Sequence, residues 1–168
     1  MTLDELNRMD FGTFVATLGG VFEHSDWVAE GAWSRRPFAS VGALHAAMQT
    51  VVDCAGEGPQ LALIRAHPEL AGKAMVKEEL TAESASEQAG AGLTQCTPQE
   101  FTQLTELNDR YNTKFGFPFI LAVKGYDRAG VIAEFARRVD RDRNTEFAEN
   151  LAQIGKITRM RLDALLDR

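Results

Sequence analysis

His67 stands at the end of an apolar, helix-patterned run and is followed at once by Pro68, in the stretch Ala66-His-Pro-Glu-Leu70. Proline disfavours the α conformation in the residue before it, so the helix must stop here. An imidazole at a helix end either bonds the unpaired last carbonyls, where the dipole favours it, or turns to a ligand and exchanges a proton near neutral pH. The second such place is Ser84-Ala85-Ser86-Glu87-Gln88. At 100° per residue, Ser84, Glu87 and Gln88 share one helix face with Ala91, opposite Ala82, Ala85, Ala89 and Leu93. That polar face either lies in solvent or lines a polar pocket; spacing alone favours solvent. The third is Arg161, in the stripe Phe147, Leu151, Ile154, Thr158, Arg161, Leu165, whose 4-3-4-3-4 spacing is helical. A guanidinium in a core-facing slot needs an anion, either a protein carboxylate such as Glu87 or an anionic ligand; otherwise it snorkels outward. His24, in a polar loop, and His45, beside an apolar stripe, read as structural.

The elements that must position these groups are helical. Thr2 with Glu5 and Thr97-Pro98-Gln99-Glu100 have the spacing of capping boxes, and Asp10, Ser25, Ser40, Thr81, Asp127 and Asn144 precede apolar helical periods. Pro59 is expected to begin the helix that ends at His67, and the Thr81 helix to run to about Leu93. Phe117 to Val123 is an apolar run bounded by Gly116 and Gly125 with no partner strand, so it reads as an extended segment leading into, or becoming, a short buried helix. The expectation is an all-α protein of roughly eight or nine helices in a single domain, residues 1–168.

Composition narrows the function. The 168 residues are 45% hydrophobic and 25% charged, ordinary for a globular domain. Eighteen Lys+Arg against twenty-four Asp+Glu give a net charge of −6, a poor match to nucleic acid or an anionic membrane. The one basic cluster, Arg137-Arg138 with Arg141 and Arg143, alternates with acids and reads as a solvated helix end. Cys54 and Cys96 lie far apart, with no ligand spacing for a metal. No basic, apolar leader opens the chain and no apolar run is long enough for a membrane span, so a cytoplasmic setting is expected.

Taken together, Leu63-Ile-Arg-Ala-His67-Pro-Glu-Leu-Ala-Gly72, Ser84 to Gln88 with Ala91-Gly92-Leu93, Asn108-Asp-Arg-Tyr111-Asn-Thr-Lys114-Phe-Gly-Phe-Pro-Phe-Ile120 followed by Val123-Lys124-Gly125, and Ile154 to Leu162 resemble the 2-oxo-4-hydroxy-4-carboxy-5-ureidoimidazoline (OHCU) decarboxylases of urate breakdown. The Lys-Phe-Gly-Phe-Pro-Phe-Ile run is the most specific piece. Glu69 stands where aspartate is common in the family, and Gly155 where a bulkier residue is usual.

The resemblance implies an all-α homodimer without metal or organic cofactor, acting on a small-molecule substrate, OHCU, which loses its carboxylate to give (S)-allantoin. It implies His67 as the proton-transfer residue. Pro68, Ser84, Ala85, Ser86, Glu87 and Gln88, with Phe119, Ile120, Leu121, Ala122 and Val123, would line the substrate site, and Arg161 would complete it. The chemistry fits those types. Loss of CO2 leaves an electron pair that the ring's own C=N bond can accept, so the protein need only hold an anion and move protons. Either His67 or Glu87 can take the substrate's hydroxyl proton. Two rival readings are a non-catalytic helical module, docking another purine-pathway enzyme around Trp27 and Trp33, and a cysteine enzyme using Cys54 or Cys96.

Overall fold

The computed structural model of the protein describes residues 1–72, 75 and 79–166. Among them are nine α-helices, two short 3-10 turns and no strand, as the helical periodicity predicts. The chain divides into two compact units, Met1–Ala66 with Gly155–Arg168, and His67–Ile154. None of the described helices is long and apolar enough to cross a membrane.

In the first unit, helices α1 (Leu3–Asn7), α2 (Phe11–Leu18), α3 (Asp26–Ala32), α4 (Val41–Cys54) and α5 (Glu57–Ala66) enclose Leu6, Phe14, Leu18, Val28, Leu44 and Met48. Their starts follow from local chemistry. Thr2 and Glu5 form the expected capping box, and the side chains of Asp10 and Ser40 accept from Thr13 N–H and Ala43 N–H. Ser25 differs, because its hydroxyl donates to the Glu23 carbonyl and leaves the start of α3 without a side-chain cap. Helix α5 begins two residues before Pro59, after Gly56 at φ +84°. Proline is tolerated there because first-turn N–H groups have no helical partner. Gly31 lets α3 approach α4, since a Cβ on it would lie 2.7 Å from Val51 Cγ1. Trp33 is half-buried, with the Arg36 guanidinium 3.1 Å over its ring, so it is not the bare docking patch that its composition suggested.

The second unit holds α6 (Ala82–Gly90), α7 (Pro98–Phe115), α8 (Arg128–Val139) and the first half of α9 (Arg143–Leu165). Thr81, Thr97 and Asp127 cap as expected. Helix α6 ends at Gly90, short of Leu93, and Leu93–Gln95 forms a separate 3-10 turn. Asp142, rather than Asn144, opens α9, taking both the N–H and the hydroxyl of Thr145. Gly116, at φ +76°, ends α7 in the left-handed conformation that glycine adopts without strain. Beyond it, residues 117–123 contain no helix, so only the extended half of the expectation for this segment holds. Tyr111, Phe115, Phe117, Phe119 and Phe135 form one aromatic core, in which Phe119 stacks on Phe135 with centroids 3.9 Å apart.

Of the stripe predicted on α9, Ile154, Thr158 and Arg161 are buried, whereas Phe147, Leu151 and Leu165 are half-buried. Glu146, Asn150, Gln153, Ile157 and Leu162 are buried beside it. Most of that buried line is polar, and hydrophobic periodicity does not register polar burial.

Candidate active site

Three amides hold the loop that carries His67. The Ala71 N–H donates to Gln88 Oε1 at 2.9 Å, while Gln88 Nε2 donates to the Glu69 carbonyl at 3.2 Å. Asn108 Nδ2 donates to the Leu70 carbonyl at 3.0 Å, and Asn112 Nδ2 to Glu69 Oε1 at 2.7 Å. Ala71 sits at φ +50°, a left-handed conformation that costs an L-residue about 1–2 kcal/mol, and the bond to Gln88 offsets that cost. His67 itself is 5% exposed. An imidazole buried on a loop held in one conformation is the arrangement that general acid–base work requires.

Gln88 and Ser84 are buried, Glu87 is half-buried, and Ala82, Ala85 and Ala89 are exposed. The polar face of α6 is therefore the inner one, a correction to the solvated face favoured by spacing alone. The amide of Gln88 makes burial tolerable because both its ends are hydrogen-bonded to the backbone of the His67 loop. Of the stretch expected at the substrate, Ser84, Glu87 and Gln88 face inward, Ala85 and Ser86 face outward, and Pro68 is half-buried.

The segment Phe119–Val123 is buried except at Ala122, which is half-buried. It is held by groups that sequence reasoning missed. Asn150 Oδ1 accepts from Ile120 N–H at 3.1 Å, and its Nδ2 donates to the Pro118 carbonyl at 3.0 Å. Gln153 Oε1 accepts from Ala122 N–H at 3.0 Å. Arg138, fully buried, donates to the Ile120 carbonyl and to Asn150 Oδ1, each at 2.8 Å, and pairs with Glu146 at 2.8 Å. Its guanidinium carbon lies 4.4 Å from the Phe119 ring centre. The reading of Arg137-Arg138 as a solvated helix end is therefore wrong for Arg138. Arg137 is exposed and pairs with Glu134 one turn away. Tyr111 donates to Glu146 Oε2 at 2.5 Å, and burial first, then that carboxylate, push its phenol pKa well above the usual range, so it stays a donor. One signal was available: 146, 150 and 153 recur at helical spacing in line with Ile157 and Arg161.

Within this unit, helix α7 contacts both segments. Asn108 and Asn112 reach the His67 loop, while Tyr111 and Phe115 pack on Phe119 and Phe117 of the aromatic segment that follows.

In the other unit, Arg161 occupies the core-facing slot its spacing predicts, at 7% exposure. Its Nη1 lies 2.8 Å from Glu23 Oε2 and also donates to the carbonyls of Gly20 and Val21. There too, His45 Nε2 donates to the Gly155 carbonyl at 2.9 Å, a structural bond, and burial lowers the pKa of this imidazole. Cys54 is exposed and Cys96 half-buried, neither in a disulfide.

The family model for OHCU decarboxylase matches residues 7–163. The chain belongs to the OHCU decarboxylase family. It is 40% identical over 165 residues to 2-oxo-4-hydroxy-4-carboxy-5-ureidoimidazoline decarboxylase of Halalkalicoccus jeotgali, covering 98% of this chain and 92% of that protein. It is 42% identical over 161 residues to a bifunctional uric acid degradation protein of Bacillus subtilis, covering 96% of this chain but only 32% of that one. Among solved structures, an (S)-allantoin synthase superposes with a TM-score of 0.81 at 29% identity, over 99% of this chain and 55% of that chain. This membership agrees with the resemblance carried by the His67, Ser84–Gln88 and Lys114–Ile120 motifs.

Proposed function

We propose that this chain is an OHCU decarboxylase, a carboxy-lyase that converts OHCU to (S)-allantoin with His67 as its proton-transfer residue. Family membership supports the activity. The observation that carries the residue assignment is the buried His67 on a loop fixed by Gln88, Asn108 and Asn112.

The bond to the carboxylate breaks, CO2 leaves, and its electron pair enters the ring through the neighbouring C=N. The nitrogen of that C=N takes up a proton, the hydroxyl gives up its own to become the carbonyl, and a proton is delivered to one face of the adjacent ring carbon. His67 and the inward-facing Glu87 are the two groups for these transfers, with Ser84 and Gln88 beside them on the same face of α6. Pro68, the backbone around Ala85 and Ser86, and residues Phe119 to Val123 complete the substrate contacts. Because the ring accepts the electrons, the reaction proceeds without metal or organic cofactor. The resemblance also assigns Arg161 to the substrate, a role tested apart below. The same proposal carries a homodimeric state, a cytoplasmic setting and the operation of residues 1–168 as one functional domain.

The test is the rate of CO2 release from freshly generated OHCU, compared with its spontaneous decay. His67→Asn is expected to keep the circular dichroism spectrum and to lower kcat by at least about 10²-fold, the low end for general acid–base catalysis. Wild-type protein that leaves the spontaneous rate unchanged would overturn the activity. Near wild-type turnover by the variant would move proton transfer to Glu87.

A further inference from the structure

The contacts made by residues 118–122 alternate. The Pro118 carbonyl, the N–H and carbonyl of Ile120, and the Ala122 N–H all turn toward Asn150, Arg138 and Gln153. In an extended chain, adjacent residues direct their backbone groups to opposite sides. Phe119 and Leu121 therefore face away from this network. Among the described residues, their N–H and carbonyl groups form no hydrogen bond, although Phe119 is 0% and Leu121 3% exposed. Buried backbone groups are nearly always paired, so two adjacent sets of donor and acceptor without a protein partner call for an explanation. A ureido-bearing imidazoline is a run of N–H and C=O groups, the complement of such an edge.

We propose that Asn150 and Gln153 are positioning residues for the decarboxylation: by holding the even-numbered backbone groups, they present the N–H and carbonyl of Phe119 and Leu121 to the substrate. This rests on the function proposed above. Asn150 fixes the register by gripping both Pro118 and Ile120, and Arg138 locks Asn150 from behind. Gln153 fixes the far end of the edge, at Ala122, and is itself steadied by donating to Glu149 Oε1 at 2.8 Å. Neither amide need touch the reacting atoms.

Gln153 is the residue to perturb, because Ala122 is half-buried and water can take over its N–H without unfolding the unit. Gln153→Met keeps the length and removes the acceptor. The expected result is a rise in KM for OHCU of about tenfold, which corresponds to roughly 1.4 kcal/mol. The change in kcat should be smaller, since contacts to the backbone edge persist through the reaction, and Tm should stay within a few degrees. The exchanged pair Glu149→Gln with Gln153→Glu restores the acceptor at Ala122 and keeps the net charge, so it should bring KM back toward wild type. An unchanged KM in Gln153→Met, with any loss confined to the folded fraction, would overturn the proposal. So would an exchanged pair as impaired as Gln153→Met. Wild-type protein inactive on OHCU would defeat the parent reading itself, and is told apart because it appears before any variant is made.

Discussion

Replacing Arg138 by methionine tests the centre of the second unit most directly. Methionine matches the apolar stem but removes the charge and every donor. Arg138 is fully buried and bonds Glu146, Asn150 and the Ile120 carbonyl, all within 2.9 Å. Without it, the Glu146 carboxylate, also 0% exposed, keeps only the Tyr111 hydroxyl and a half-exposed Arg141 at 3.2 Å. Breaking one side of a buried ion pair costs about 3–5 kcal/mol, most of it the stranding of the remaining charge. At roughly 2–4 °C per kcal/mol for a protein of this size, Tm should fall by about 6–20 °C. The assay is urea unfolding followed by circular dichroism, with Arg137→Met as the exposed control, expected to unfold with wild type. Adding Glu146→Gln to Arg138→Met removes the stranded charge, and a double-mutant cycle should return a coupling of about 2–3 kcal/mol. A loss below about 1 kcal/mol for Arg138→Met, the cost of an ordinary surface change, would refute the reasoning. So would a double variant that is merely the sum of the two singles.

Arg161→Lys keeps the charge opposite Glu23 but loses the planar fork; kcat/KM is expected to fall by about 10–100-fold with Tm within a few degrees. Early unfolding with normal turnover of the folded fraction would make Arg161 a core ion alone. For His45, burial holds the folded pKa below its ordinary 6.5, so the unfolded chain binds the proton first as pH drops. Its contribution to stability is therefore complete above about pH 6.5 and is lost as pH falls through that value toward the folded pKa. Urea midpoints measured between about pH 7.5 and 5.5 should decline less steeply in His45→Gln than in wild type; parallel declines would remove His45 as the cause.

The helix starts at Thr2, Asp10, Ser40, Thr81, Thr97 and Asp127 were legible because a cap is made within three residues of itself. Asn144 was misread for the same local reason: Asp142 has an equivalent side chain, and Thr145 chooses between them. His67 and Arg161 were legible as polar groups in constrained slots. What escaped was burial satisfied from far along the chain. Asn150 meets residues 118 and 120, thirty or more positions away, and Arg138 meets Glu146 from the end of another helix. A partner on another element is not named by local spacing, so Arg138 looks like its exposed neighbour Arg137, and the inner face of α6 looks like an outer one.

Helix α7 has a mechanical consequence. Asn108 and Asn112 grip the loop behind His67, and three residues on from each, Tyr111 and Phe115 bear on the segment that ends in Phe119 to Val123. One rigid rod thus bears on both the loop that carries His67 and the segment that ends in Phe119 to Val123. A slide or tilt of that rod is transmitted to both at once and in the same direction. The two cannot be adjusted independently through α7, so a change confined to one of them has to come from its own side chains.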